Sequence, residues 1–257
     1  MIRKNHGDTL DVVTIAQDVR GHPIRLRIRG SHDLIIGLTG TGKGSAIASI
    51  LAGLCRCSQP WELNFIDLKR GTEAAFYEGL ITRHAYDAEE TEKLLDDLLK
   101  MVWQRIDSMR GTTRNLEPSE RYPLEVLVID EAAELGIAYG KEEKARAEKI
   151  TRTLDELLRL GRAWGFVCIA ATQDPRVEAF KLRPRFPQRL CLRVNDEAEG
   201  RMCLGAHAVE LGATPWLLPS DKPGSCWAFN SETNEAQRFR FRFYDDDEIR
   251  QLRKCRA

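Results

Sequence analysis

The sequence contains no run of the roughly 18 apolar residues that a helix needs to cross a bilayer. No apolar core of a secretion signal follows Met1-Ile2-Arg3-Lys4-Asn5-His6. These absences predict a cytoplasmic protein that reaches a membrane only through a separate partner. Neither sign of charge is in excess: Lys plus Arg and Asp plus Glu each number 39. Any surface for nucleic acid must therefore come from local clustering of basic side chains. The seven cysteines are scattered, odd in number and without C-x-x-C spacing. That argues against zinc and predicts reduced thiols. Internal repeats and low-complexity tracts are also missing. What remains, 257 residues of which 42% are hydrophobic, suffices for one large domain near the upper limit of a single core.

Residues 1–30 hold Val12-Val13-Thr14-Ile15 and the alternating Ile24-Arg25-Leu26-Arg27-Ile28-Arg29. Period-2 alternation predicts two short strands there, a small N-terminal β element ahead of the main domain at 31–257. Apolar strands then alternate with periodic helices: Leu34-Ile35-Ile36 and a helix from Ala46 to Leu54, Leu63 to Ile66 and a helix around Leu94, Leu98 and Val102. Val126-Leu127-Val128-Ile129, a charged helix from Glu142 to Leu160, and Phe166 to Ala171 continue the series. Short all-apolar strands alternating with helices predict an α/β fold whose mostly parallel sheet is covered on both faces. Beyond about residue 185, strands at Leu190 to Val194, Cys226 to Phe229 and Arg238 to Phe243 form a C-terminal β extension. A last short helix capped near Asp245 closes the chain.

Gly37-Leu38-Thr39-Gly40-Thr41-Gly42-Lys43-Gly44-Ser45 follows an apolar strand and opens an amphipathic helix. A phosphate-binding loop needs that context. Glycines let successive N–H groups curl toward phosphate oxygens, the helix N-terminus adds partial positive charge, and the lysine reaches the β and γ phosphates. The residue after the lysine usually supplies a magnesium-binding hydroxyl. Here it is Gly44, which leaves Ser45 or Thr41 as the substitute donor.

Val126 to Ile129 ends in Asp130-Glu131. A carboxylate at a strand tip can hold magnesium through water, and the next can orient an attacking water, so Asp130 is assigned to the metal and Glu131 to hydrolysis. Acidic residues can also simply begin a helix; their place downstream of a phosphate loop favours the chemical role. Ile169-Ala170-Ala171-Thr172-Gln173 is another apolar strand, tipped by an amide that can sense the γ-phosphate or merely precede the turn at Asp174-Pro175.

Taken with Ile66-Asp67-Leu68-Lys69-Arg70-Gly71-Thr72-Glu73, Val128-Ile129-Asp130-Glu131-Ala132-Ala133-Glu134-Leu135 and Arg159-Leu160-Gly161-Arg162-Ala163-Trp164-Gly165, these motifs resemble the FtsK/SpoIIIE branch of the HerA–FtsK superfamily. The similarity runs through Arg189, Arg193, Arg201 and Leu204-Gly205 and covers roughly residues 31–230. Gly-Lys-Gly-Ser also resembles actinobacterial plasmid-transfer members called TraB or TraSA-like. The resemblance implies a RecA-like P-loop NTPase of the additional-strand type, using ATP and Mg2+. It further implies a homo-hexameric ring around double-stranded DNA, with an arginine from the neighbouring subunit completing each site. Arg162, Arg189, Arg193 and Arg201 are the candidates, Arg189 and Arg193 foremost, and each could equally be a surface ion-pair partner. No physical argument from sequence assigns roles to Asp67, Lys69 and Glu73.

Contacts to DNA would come from basic loops that bind phosphates without reading bases. The candidates are Lys181, Arg183 and Arg185; Lys141, Lys144 and Arg146; and Arg238, Arg240 and Arg242 opposite Phe239, Phe241 and Phe243. Chromosome translocases of this type carry membrane segments and a C-terminal winged-helix module, which this chain is not expected to encode. The expected function is ATP-driven movement of duplex DNA in plasmid, integrative-element or phage transfer. A HerA-like helicase, a DNA-packaging ATPase and a non-hydrolysing, nucleotide-gated scaffold stand as alternatives.

Overall fold

The computed structural model describes residues 7–18, 20–176 and 178–255. The first six residues, read above for a targeting segment, lie outside the described residues. The chain runs β1 (Val12–Gln17), β2 (Pro23–Arg27), β3 (Asp33–Ile36), α1 (Lys43–Leu54), β4 (Trp61–Ile66), β5 (Ile81–Ala85), α2 (Ala88–Met109) and β6 (Leu124–Ile129). It continues through α3 (Lys141–Leu160), β7 (Phe166–Thr172), β8 (Gln188–Cys191), α4 (Glu197–Leu204), α5 (Ala206–Glu210), β9 (Ser225–Asn230), β10 (Glu235–Arg240) and α6 (Asp246–Gln251).

All these strands join one sheet in the order β2-β1-β10-β9-β8-β3-β7-β6-β4-β5. From β8 to β5 the neighbours are parallel; β9, β10, β1 and β2 extend the sheet in antiparallel fashion. The N-terminal strands thus form the edge of the same sheet, beyond the C-terminal hairpin. Strand β7 lies between β3 and β6, the inserted strand that the resemblance implied.

Burial on both faces explains the near-continuous apolar strands. Along β6, Leu124, Val126 and Val128 join the core that holds α1 and the N-terminal strands, whereas Leu127 and Ile129 join the core beneath α2 and α3. On α2, Thr91, Leu94, Leu95, Leu98, Leu99 and Val102 are buried at three- and four-residue spacing, as a helix with one apolar stripe requires. The Asp87 side chain caps it by accepting from the Glu90 amide at 2.8 Å.

Three expectations need correction. The alternating C-terminal strand stops at Arg240: Phe239 and Phe241 are buried, but Phe243 is 76% exposed. The chain leaves the sheet there, so period-2 alternation no longer governs which way its side chains face. Cys55 and Cys255 form a disulfide across 200 residues of sequence rather than two free thiols. The C-terminal helix folds back onto the core that holds α1, a proximity that spacing cannot reveal. Of the Lys181, Arg183 and Arg185 cluster, Arg183 is buried and donates to the Pro175 carbonyl, and Arg185 pairs with Asp155 at 2.7 Å.

Candidate nucleotide site

Strands β3, β7 and β6 end side by side, so Gly37, Gln173 and Asp130 issue from adjacent strand tips. The loop after β3 curls into α1 through Gly40 and Gly42, both at positive φ. Gly42 is also hemmed in, because a Cβ there would meet the Gly224 amide nitrogen at 2.6 Å. Helix α1 has no side-chain N-cap and no acidic residue in its first turn. Its free amides and partial positive charge therefore remain available to an anion.

A cavity of about 640 Å³ opens in front of this loop, lined by Lys43, Gly44, Ser45, Asp130 and Gln173 among others. Lys43 Nζ folds back onto the loop, donating to the Gly37 and Leu38 carbonyls at 2.8 and 3.1 Å. Burial pulls its pKa down to about 8 against the opposing pull of Glu131 and Asp130. Glu131 is buried, and both its carboxylate oxygens accept from the Gln173 amide, at 3.1 and 3.2 Å. The Thr39 hydroxyl donates to the Gln173 side-chain oxygen. Loop, inserted strand and acidic strand tip are thus joined by hydrogen bonds. Asp130 faces Lys69 at 3.5 Å; burial raises its pKa and Lys69 opposes the rise.

The structure separates the two hydroxyls proposed in place of the one lost at Gly44. Ser45 lines the main cavity. The Thr41 hydroxyl donates to the Leu38 carbonyl at 2.7 Å, and Thr41 lines a smaller neighbouring cavity with Arg193. Arg193 lies beside its own subunit's loop, where its carbonyl accepts from the Leu38 amide at 3.1 Å. Arg189 is drawn inward, donating to the Phe186 and Cys203 carbonyls at 3.4 and 3.3 Å, and burial lowers its pKa. Arg162 donates to the Gly30 carbonyl and pairs with Glu232, while Arg201 is exposed and pairs with Glu197 on its own helix.

Two features escaped the sequence reading. The segment after β10 forms the far wall of the cavity through Arg242, Phe243 and Tyr244, with the Arg242 guanidinium 3.8 Å from the Tyr244 ring centre. The Gly224 amide donates to the Thr41 carbonyl at 2.7 Å and the Phe241 amide to the Gly224 carbonyl at 2.9 Å, which ties this wall to the loop. Second, Asp67 is fully buried and accepts from the Lys69, Glu73 and Ala74 amides. It thereby organises the turn that carries Glu73 to the cavity, a role with no local sequence signal.

The FtsK/SpoIIIE family model matches residues 9–114. The chain is similar to DNA translocase FtsK of Staphylococcus epidermidis, 27% identical over 222 residues that cover 77% of this chain and 27% of that protein. It therefore spans about a quarter of that relative's length. A sporulation regulatory protein of Streptomyces azureus is 30% identical over 203 residues, covering 76% of this chain and 66% of the relative. Among solved structures, the pCW3 conjugation coupling protein TcpA, in its monomer form with ATPγS, superposes with a TM-score of 0.81 at 22% identity, covering 97% of this chain and 71% of that one. With the inserted strand and the phosphate loop in place, the chain is an FtsK/SpoIIIE-type protein with the fold of the P-loop ATPases.

Proposed function

We propose that this chain is the motor unit of an ATP-driven translocase for double-stranded DNA, working as a homo-hexameric ring in the transfer of a plasmid, integrative element or phage genome. The observation that carries the reading is the linkage of Thr39, Gln173 and Glu131 across three strand tips beside Lys43. Catalysis of phosphoryl transfer consists mainly of positioning and charge stabilisation, and this arrangement offers both.

The residues fit a magnesium nucleotide. The loop's backbone and α1 offer amides to the phosphates, and released Lys43 reaches the β and γ positions. Asp130 offers a carboxylate whose ion pair, with Lys69 at 3.5 Å, is exchangeable. Bound Mg2+ neutralises charge on the β- and γ-phosphate oxygens. Glu131, held by the Gln173 amide, orients the attacking water and takes up its proton, while the Gln173 side chain reports whether a γ-phosphate is present. Arg193 serves its own subunit's loop. Arg201 completes the neighbour's site, since its exposed pair with Glu197 is worth only about 0–1 kcal/mol and is readily given up.

Of the basic candidates, Lys141, Lys144, Lys181 and Arg238 are exposed and can meet DNA phosphates. Lys144 and Lys181 flank one cavity between α3 and the chain that follows Gln173, a short route from the γ-phosphate sensor to the DNA. Such contacts carry no base information. The reading is tested with ATPγS binding and ATP turnover. Glu131→Gln should bind nucleotide like wild type while turnover falls about 10²–10⁴-fold; equal turnover would refute the assignment.

A further inference from the structure

The loop carries glycine where a hydroxyl normally helps to hold magnesium, and the structure shows what faces the gap. A Cβ built on Gly44 has open space around it, and the atom nearest to it is Glu73 Oε2 at 3.9 Å. A serine hydroxyl would stand one bond beyond that Cβ, so the Glu73 oxygen lies within reach of an ion that such a hydroxyl would bind. Glu73 lines the same cavity as Asp130, Lys43 and Lys69. Among the described residues, its carboxylate makes no hydrogen bond or ion pair.

The chain's path to this point is specifically built. After β4, Arg70 and Gly71 turn the backbone at φ 62° and 74°. Buried Asp67 fixes the turn through the Lys69, Glu73 and Ala74 amides at 3.0, 2.8 and 3.1 Å. Gly71 admits no side chain, because a Cβ would meet the Tyr86 ring at 2.8 Å. The turn therefore presents Glu73 at a set position.

We infer that Glu73 takes the place of the missing loop hydroxyl and, with Asp130, supplies the protein oxygens for the magnesium of a bound nucleotide. The inference rests on the nucleotide reading above. Mg2+ takes six oxygens at close to octahedral geometry and is commonly bound by one or two carboxylates together with phosphates and water. Among the described residues no three acidic, histidine or cysteine side chains form a closed cage, so phosphate must complete the set. Ser45 is the competing donor. It lies one residue further along α1, about 100° around the helix axis from Gly44. Thr41 spends its hydroxyl on the Leu38 carbonyl.

The test uses the full chain, ATPγS and Mn2+ as an octahedral stand-in for Mg2+, with free Mn2+ followed by electron paramagnetic resonance. Nucleotide affinity in EDTA serves as a control for folding. Glu73→Gln should weaken Mn2+ binding in the ternary complex by at least about tenfold, while ATPγS in EDTA binds no more weakly than to wild type because the substitution removes a negative charge from the cavity. Gly44→Ser has room for its side chain and, added to Glu73→Gln, should restore Mn2+ affinity, a rescue that a merely structural role for Glu73 would not allow. Wild-type Mn2+ affinity in Glu73→Gln, absence of rescue, or a loss confined to Ser45→Ala would each overturn the inference while the nucleotide reading stands. Failure of the wild type to bind ATPγS with or without metal would overturn both.

Discussion

Gly42 gives the sharpest structural prediction. Its φ of 106° lies where L residues rarely go, and a Cβ would press on backbone, with Gly224 N at 2.6 Å and Gly224 Cα at 2.9 Å. Backbone cannot rotate away as a side chain can, so Gly42→Ala must displace Gly224 and strain its hydrogen bond to the Thr41 carbonyl at 2.7 Å. The dihedral strain costs about 1–2 kcal/mol and the weakened hydrogen bond about 1 kcal/mol more, for a destabilisation of about 2–3 kcal/mol. Gly40 is the control. Its φ is 76°, but nothing lies within 4 Å of its Cβ, so Gly40→Ala should cost only the dihedral part, about 1–2 kcal/mol. Urea unfolding measures both variants, and ATPγS titration reports the loop. Gly42→Ala should also lose nucleotide affinity, because Gly224 ties the wall that follows β10 to the loop. Equal stability of the two variants, or unchanged nucleotide affinity in Gly42→Ala, would refute the reasoning.

Other outcomes follow from buried groups elsewhere. His32 is buried with Nδ1 accepting from the Cys168 amide at 3.1 Å and Nε2 at 2.9 Å from the Leu158 carbonyl, and burial lowers its pKa to about 4 from the ordinary 6.5. The unfolded chain binds this proton more readily, so stability present above pH 6.5 should fall by about 3 kcal/mol as pH drops toward 4. Urea unfolding across that window checks the slope, which His32→Asn should abolish. Arg105 is buried, donates to the Trp164, Gly165 and Pro123 carbonyls and faces buried Glu125 at 3.5 Å. Arg105→Ala should cost about 3–5 kcal/mol in denaturant unfolding, whereas a loss below 1 kcal/mol would contradict that network. Unfolded without reductant, the protein should show five reactive thiols, those of Cys57, Cys168, Cys191, Cys203 and Cys226, and seven after reduction.

The central sheet was legible because its strands are buried on both faces and read as unbroken apolar runs. The phosphate loop was legible because glycines between such a strand and a helix have few other uses. Strand β5 was not: Ile81-Thr82-Arg83-His84-Ala85 sits at the sheet edge with alternate residues facing out, and a five-residue segment whose three central residues are polar carries little periodic signal. The role of Asp67 was hidden for another reason. A buried carboxylate that caps a turn from within looks, in sequence, like any acid after a strand. Glu73 matched a family stretch, yet only the path set by Arg70 and Gly71 brings it opposite Gly44. In the basic cluster near 181–185 it is Arg183 that is lost from the surface, because sequence spacing cannot distinguish a buried arginine bonded to a carbonyl from one in solvent.

The measurement closest to the central claim is steady-state ATP hydrolysis with linear duplex DNA, with single-stranded DNA of equal length, and with none. The account predicts strong stimulation by duplex alone, abolished in Lys43→Ala and Glu131→Gln. Turnover indifferent to DNA, or no hydrolysis by the wild type despite nucleotide binding, would contradict it.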